Sequence, residues 1–273
     1  FAPMGKAVRA ADGYRVTGRW NWGSGSLNAR WIMGGSLVLG EDGKPEMLGR
    51  VPNSRMMIVP RDEAAIEDSW HVMGLCGTGS NQFSFDDLAV AHAFSVALAT
   101  DRPRIEAPLY AFPAFGLLAI GIAAVALGIG QGALDEFVAL AGAKTPQYSK
   151  KSLANRPQAQ LRFAEAMASI ESARAFLHDA VGHAYDIAAK DGVIDDAARA
   201  RLRLAACHAT KQAAQAVTLL HTEAGGTSVF LSTPLQRRFR DVHVATQHLM
   251  VSGATQELSG RVLLGVETDT AML

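Results

Sequence analysis

The sequence predicts an α+β, multi-domain chain: a small antiparallel β-barrel or sandwich over residues 1–100, then an antiparallel four-helix bundle over 108–273. Three observations predict it. Short alternating runs of β-forming residues, cut by Gly, Asp and Asn pairs, are confined to the first third. Beyond Pro108 the pattern changes to long Ala- and Leu-rich stretches of helical period. Where the pattern changes, residues 98–108 carry Arg102-Pro103-Arg104 and Pro108, the polar, proline-containing composition of a domain boundary.

In chain order, Asp12-Gly13 turns the chain ahead of a strand at Tyr14–Trp20. Arg30–Met33, Ser36–Leu39, Arg55–Val59 and Asn81–Phe85 are further strand candidates, with Glu41–Lys44 as another turn. Helices are expected near 109–143, 157–190, 195–224 and 234–264, punctuated at Thr145-Pro146, Asn155-Arg156-Pro157, Asp191-Gly192 and Gly225-Gly226. Asp195 and Asp196 place acids at the positive end of the third helix, and Gly225 supplies its stop. Short joins between long helices imply antiparallel neighbours.

With 273 residues, 49% of them apolar and 19% charged, the chain has enough apolar side chain for a sizeable core. Lys+Arg and Asp+Glu both number 26, so no global field recruits nucleic acid or an anionic membrane. Cys76 and Cys207 form neither a disulfide framework nor a zinc-spaced cluster; a reducing cytoplasm is expected, and no metal. Ala107 to Leu134 has no charge and could span a bilayer by length. Its five glycines, its internal Pro113 and an end at Asp135-Glu136 without Lys or Arg point instead to a helix buried among others. The opening Phe1-Ala-Pro-Met-Gly has no basic-then-apolar leader and reads as the later part of a longer chain or a processed product. No GxGxxG follows a strand and no P-loop occurs, so nicotinamide binding is not expected.

Several residues stand out chemically. Ser24 lies between Gly23 and Gly25, where a backbone free of Cβ atoms can approach a planar ring and the hydroxyl can turn to donate. Thr78 and Ser80 sit in a Gly-rich turn; for all three, an ordinary Gly-Ser turn is the competing reading. His243 and His248, five residues apart, do not share a helical face and are no metal pair. His178, His183, His208 and His221 read as polar faces or subunit contacts. Of Trp20, Trp22 and Trp31, two are expected in the β core. Arg237, Arg238 and Arg240 cluster at a helix start, against the dipole preference, and answer either a phosphate or carboxylate or a salt-bridged interface. Phe112, Phe115 and Met250 are candidate lining of an apolar pocket suited to an aromatic or steroid-like molecule.

Three segments, Arg19-Trp-Asn-Trp-Gly-Ser-Gly25, Met73-Gly-Leu-Cys-Gly-Thr-Gly-Ser-Asn81, and Gln236-Arg-Arg-Phe-Arg-Asp241 with His243 and His248, resemble the flavin-dependent monooxygenases of the acyl-CoA dehydrogenase superfamily. Among these are the oxygenase components acting on 4-hydroxyphenylacetate and steroid phenols, and dibenzothiophene monooxygenase. The resemblance covers nearly the whole chain and implies the middle and C-terminal domains of that superfamily, without the helical N-terminal domain that precedes them. It further implies reduced FMN or FAD supplied by a separate flavin reductase, molecular oxygen, a C4a-hydroperoxide, hydroxylation of a small aromatic or apolar substrate, and a homotetramer. By the same resemblance Ser24 donates to flavin N5, and Trp22, Gly25, Thr78, Ser80 and Arg240 contact the flavin. His248 is the base or a substrate contact, and Ser252 joins the pocket lining. Acyl-CoA dehydrogenases place a Glu just before a Gly-Thr or Gly-Ala pair; here that position, before Gly253-Ala254, is Ser252, which has no basicity of its own. An acyl-CoA dehydrogenase would have to rely on Glu257, about 140° away around an ideal helix. A non-catalytic oligomeric scaffold that lost its flavin site is the third reading.

Overall fold

The computed structural model describes residues 2–49, 51–98 and 100–273. The chain forms two compact units, one of Phe1–Val72 and Cys76–Arg104, the other of Met73–Leu75 and Ile105–Leu273.

The first unit is built on strands β1 (Gly5–Ala10), β2 (Gly13–Gly23), β3 (Trp31–Leu39), β4 (Met47–Leu48), β5 (Val51–Pro52), β6 (Ser54–Pro60), β7 (Ala65–Glu67), β8 (Asn81–Ala91) and β9 (Ser95–Val96). Seven of them form one sheet in the order β7-β8-β2-β1-β3-β6-β9, and β4 and β5 make a small hairpin. The purely antiparallel barrel or sandwich expected from sequence is corrected here to a mixed sheet, because β1 and β3 run parallel. The cause is topological. After the tight turn pairing Ala10 with Gly13, β2 returns the chain to the end where β1 began, so a strand starting there on the free side of β1 must follow the direction of β1. Alternation along β2 sends Tyr14, Val16 and Trp20 into the core. Trp20 is the centre of that core: its indole lies against Phe83 and Phe85, its Nε1–H donates to Gly35 O at 2.7 Å, and a Cβ on Gly34 would stand 2.7 Å from its ring. Trp20 is the one tryptophan of the expected pair found inside. Trp22 and Trp31 are 70% and 50% exposed, Trp31 lying flat on Phe94.

The second unit contains α1 (Ala114–Ala143), α2 (Pro157–Asp191), α3 (Asp196–Ala224), α4 (Pro234–Ala245) and α5 (Gly253–Leu263). Helix α1 starts later than expected because Pro113 holds Phe112 in an extended conformation and the chain enters through a 3-10 turn at Pro108–Ala111. Asp195 caps α3 by accepting from Ala198 N–H at 2.7 Å. The single last helix expected over 234–264 is two helices. His248 adopts an extended conformation and Leu249–Val251 form a 3-10 turn, capped when His248 Nδ1 accepts from Met250 N–H at 3.2 Å; Ser252, also extended, then starts α5. The side chain of His248 thus competes with the helix for a backbone donor.

Helix α3 lies at the centre, packed by α1, α2, α4 and α5. Its inner face is mostly alanine, including Ala205, Ala206, Ala209 and Ala213, which lets helix axes approach closely. Helix α1 is long and apolar enough to cross a membrane by length and composition alone, yet Ala119, Ala123, Ala126, Ala133, Leu134 and Phe137 lie in this core. Met73–Leu75 joins the unit at α4: Arg240 Nη1–H donates to Met73 O at 2.7 Å and Leu75 N–H to Asp241 Oδ1 at 2.6 Å.

Candidate active site

The residues picked out from sequence divide between the units: Trp22, Ser24, Gly25, Thr78 and Ser80 in the first, Phe112, Phe115, Arg240, His248, Met250 and Ser252 in the second.

In the first unit the end of β2 is distorted by design of its register. Pairing with β8 slips between Trp20 and Gly23, a β-bulge that puts Trp22 at φ 68° and turns its indole outward, edge-on to Trp70 with centroids 5.2 Å apart. Gly25 follows at φ 74°, and nothing lies within 4 Å of where its Cβ would be. Its N–H donates to Thr78 O at 2.8 Å, bringing the two Gly-rich segments together. Their hydroxyls form a chain: Ser24 Oγ is 2.7 Å from Ser80 Oγ, itself 2.7 Å from Thr78 Oγ1. Ser80 is buried while Ser24 is exposed, so a proton order running from Thr78 through Ser80 to Ser24 leaves the Ser24 hydroxyl free to donate outward. Buried Asn81, next in line, accepts from Ser69 N–H and Trp70 N–H at 3.0 Å each and so fixes the segment behind the tryptophan pair.

In the second unit the turn between α4 and α5 carries His248, Met250 and Ser252. His248 is exposed overall, but its Nδ1 edge faces the turn. Desolvation there, then the charge of Arg203, hold its pKa below the ordinary histidine range. With Nδ1 accepting from Met250, the neutral ring carries its proton on Nε2. Phe112 and Met250 are buried in the helical core and Phe115 packs partly buried against it. Arg240 is engaged through Met73 O and Gln236 Oε1, and Arg238 pairs with Glu136 at 2.9 Å, so two members of the arginine cluster have partners within the unit. Glu257 is exposed on α5.

A cavity of about 750 Å³ opens among α2, α3, α4 and α5, lined by Cys207, Lys211, Gln215, Thr218, His243 and Ser252 among others; of the predicted residues it takes in Ser252 alone. No carboxylate lines it. His243 Nε2 meets Thr218 Oγ1 at 3.0 Å, and its ring packs on Phe239, which stacks in turn on His221. Burial, then the neighbouring His221, lowers the His243 pKa. The residue that sequence reasoning missed is Arg203, 1% exposed on α3. Its signal was a charge on the same face as Ala206 and Thr210, which helical spacing alone marks as buried.

Residues 120–253, within the unit of long helices, match the family described as acyl-CoA dehydrogenase, C-terminal domain. Indole-3-acetate monooxygenase of Pseudomonas putida is 29% identical over 266 residues, covering 97% of this chain and 66% of the relative. The oxygenase component of an FADH(2)-dependent resorcinol hydroxylase from Rhizobium sp. (strain MTP-10005) is 30% identical over 284 residues, covering 98% and 68%. The crystal structure of 3-HSA hydroxylase from Rhodococcus sp. RHA1 superposes with a TM-score of 0.87 at 29% identity, over 99% of this chain and 70% of that one. The chain belongs to the flavin-dependent monooxygenases of the acyl-CoA dehydrogenase superfamily, whose oxygenase components hydroxylate aromatic compounds. It spans about two thirds of the length of the curated relatives it matches.

Proposed function

We propose that the protein of which this chain is part is the oxygenase component of a two-component flavin-dependent monooxygenase, hydroxylating a small aromatic substrate with dioxygen and reduced flavin delivered by a separate reductase. The observation that carries this reading is the hydroxyl chain Ser24–Ser80–Thr78 beside the outward-facing Trp22. These residues fit a flavin: the indole offers an apolar face, the open space at Gly25 admits a planar ring, and Ser24 offers a neutral donor for N5. When bound, the reduced flavin supplies two electrons and activates dioxygen, one oxygen atom entering the substrate and the other leaving as water. FAD is favoured over FMN by the resorcinol hydroxylase relative, whose name carries FADH(2).

The chain's own part is to hold protons and exclude competing chemistry. Ser252 and its neighbours offer no carboxylate to remove a proton α to a thioester, which speaks against acyl-CoA oxidation. His248 in its neutral form presents Nε2–H and so orients a substrate oxygen as a donor; taking a proton at Nε2 requires the other tautomer and the loss of the Met250 cap. Phe115 and Ser252, both only partly buried, remain our candidates to meet an aromatic ring and its hydroxyl. The free thiols Cys76 and Cys207 fit a reducing cytoplasm, and exposed Val125, Val138, Leu161 and Met167 support association into a homo-oligomer.

The test is anaerobic titration with reduced FAD and reduced FMN, then mixing with 18O-labelled dioxygen and a panel of phenols. Saturable binding and a product carrying one labelled oxygen atom are expected. Binding of neither flavin would leave the non-catalytic scaffold as the better account.

A further inference from the structure

Among the described residues Arg203 is the one charged side chain that is buried, and the packing of the helical unit does not explain its presence. Among the described residues no carboxylate pairs with it. Its Nη1–H groups donate to Phe115 O at 2.6 Å and reach Met250 Sδ at 3.4 Å, its Nη2–H reaches Thr255 Oγ1 at 3.4 Å, and its Nε has no partner. Removing a guanidinium from water without a counter-ion is costly, and an apolar side chain of similar length would fill the same space among alanines. Core filling therefore does not select arginine here.

What arginine does supply is a planar fork, and its partners lie on three separate pieces of backbone. Phe115 is in the first turn of α1, Met250 is in the 3-10 turn, and Thr255 is in the first turn of α5. Thr255 passes the connection on, because its hydroxyl donates to Leu249 O at 3.0 Å and lies 3.5 Å from Ser252 Oγ. Both ends of the turn that carries His248 and Ser252 are thus referred to one rigid group on the central helix.

We propose that Arg203 is a positioning residue of the active site: its guanidinium clamps the Leu249–Val251 turn and the start of α5 to the start of α1, and so sets where His248, Ser252 and Phe115 stand. Arg203 is also the charged group that acts on the His248 ring, whose Nδ1 faces Met250 N–H. The proposal rests on the reading of His248 and Ser252 given above, but its test does not depend on turnover.

The experiment compares wild type with R203M and R203K in the full chain, with methyl-labelled methionine and ring-labelled histidine observed by NMR, His248 being assigned through H248Q. In R203M, with helical circular dichroism retained, the Met250 methyl signal is expected to move and the His248 titration midpoint to rise. In R203K the midpoint returns towards wild type because the charge is kept, while the Met250 signal stays displaced because an ammonium does not bridge three partners. An unchanged Met250 signal and His248 midpoint in folded R203M overturn the proposal. Should R203M fail to fold, R203K decides: a Met250 signal identical to wild type overturns the clamp, and a displaced one supports it. Loss of these shifts refutes the clamp alone, whereas intact shifts in a protein that binds no flavin would refute the functional reading alone.

Discussion

Ser24 and His248 each have one hydrogen-bonding edge engaged and one open, and that asymmetry fixes what each can offer. Removing the Ser24 hydroxyl should leave the fold intact, since the residue is exposed, while removing one outward donor. S24A is expected to weaken reduced-flavin binding about tenfold, the worth of a hydrogen bond of roughly 1–1.5 kcal/mol, with the thermal midpoint unchanged; anaerobic titration and a melting curve check both. The two histidines make stability depend on pH in a definite direction. His243 and His248 both titrate below the ordinary 6.5 in the folded chain, so the unfolded chain takes up protons first. Their contribution is fully present above about 6.5 and is lost as the pH falls through the folded values. The urea midpoint should therefore hold between about pH 8 and 7 and fall between about pH 6.5 and 5, less steeply in H248Q, whose amide oxygen can still accept from Met250.

At the scale of elements, the contact of Met73–Leu75 with α4 depends on one missing methyl group. A Cβ on Gly74 would stand 2.5 Å from Arg240 O and 2.8 Å from Asp241 N, backbone atoms that cannot yield without moving the helix. G74A is expected to cost about 1–3 kcal/mol in urea unfolding, the range for overpacking. Much of the helical layout was legible in sequence because caps and breakers announce themselves: Asp195, Gly192 and Pro157 stand at or beside the ends they were expected to mark. The break inside the last helix was not, because Thr246–Ser252 contains neither Gly nor Pro, and a histidine capping a turn through Nδ1 has no signature in periodicity. The parallel pairing of β1 with β3 was equally hidden, since it follows from the length of β2 and not from the composition of any strand. Of the site, the glycine-flanked hydroxyls were readable as a class of residue. Their meeting through Ser80, and the role of Arg203, needed coordinates because both join positions far apart in sequence.

At the scale of the whole chain, equal numbers of acidic and basic residues contribute no net long-range field to draw an anionic cofactor inward. Capture of reduced flavin should then be nearly independent of ionic strength, its association rate changing by less than about threefold between about 20 and 300 mM salt in anaerobic stopped flow; a steep fall would reveal a local cationic funnel. The helical unit packs largely through alanine and, among the described residues, one buried charge, whereas the β unit packs Trp20 against Phe83 and Phe85, so the two resist perturbation by different means. One corner of the β unit also carries its own optical label. Trp22 and Trp70 hold their ring centroids 5.2 Å apart at an interplanar angle of 72°, close enough for the two indole excitations to couple and split. Any ring that settles on Trp22 alters that splitting, so the far-ultraviolet couplet of this pair registers the arrival of a ligand in the dark, before an electron or an oxygen atom has moved.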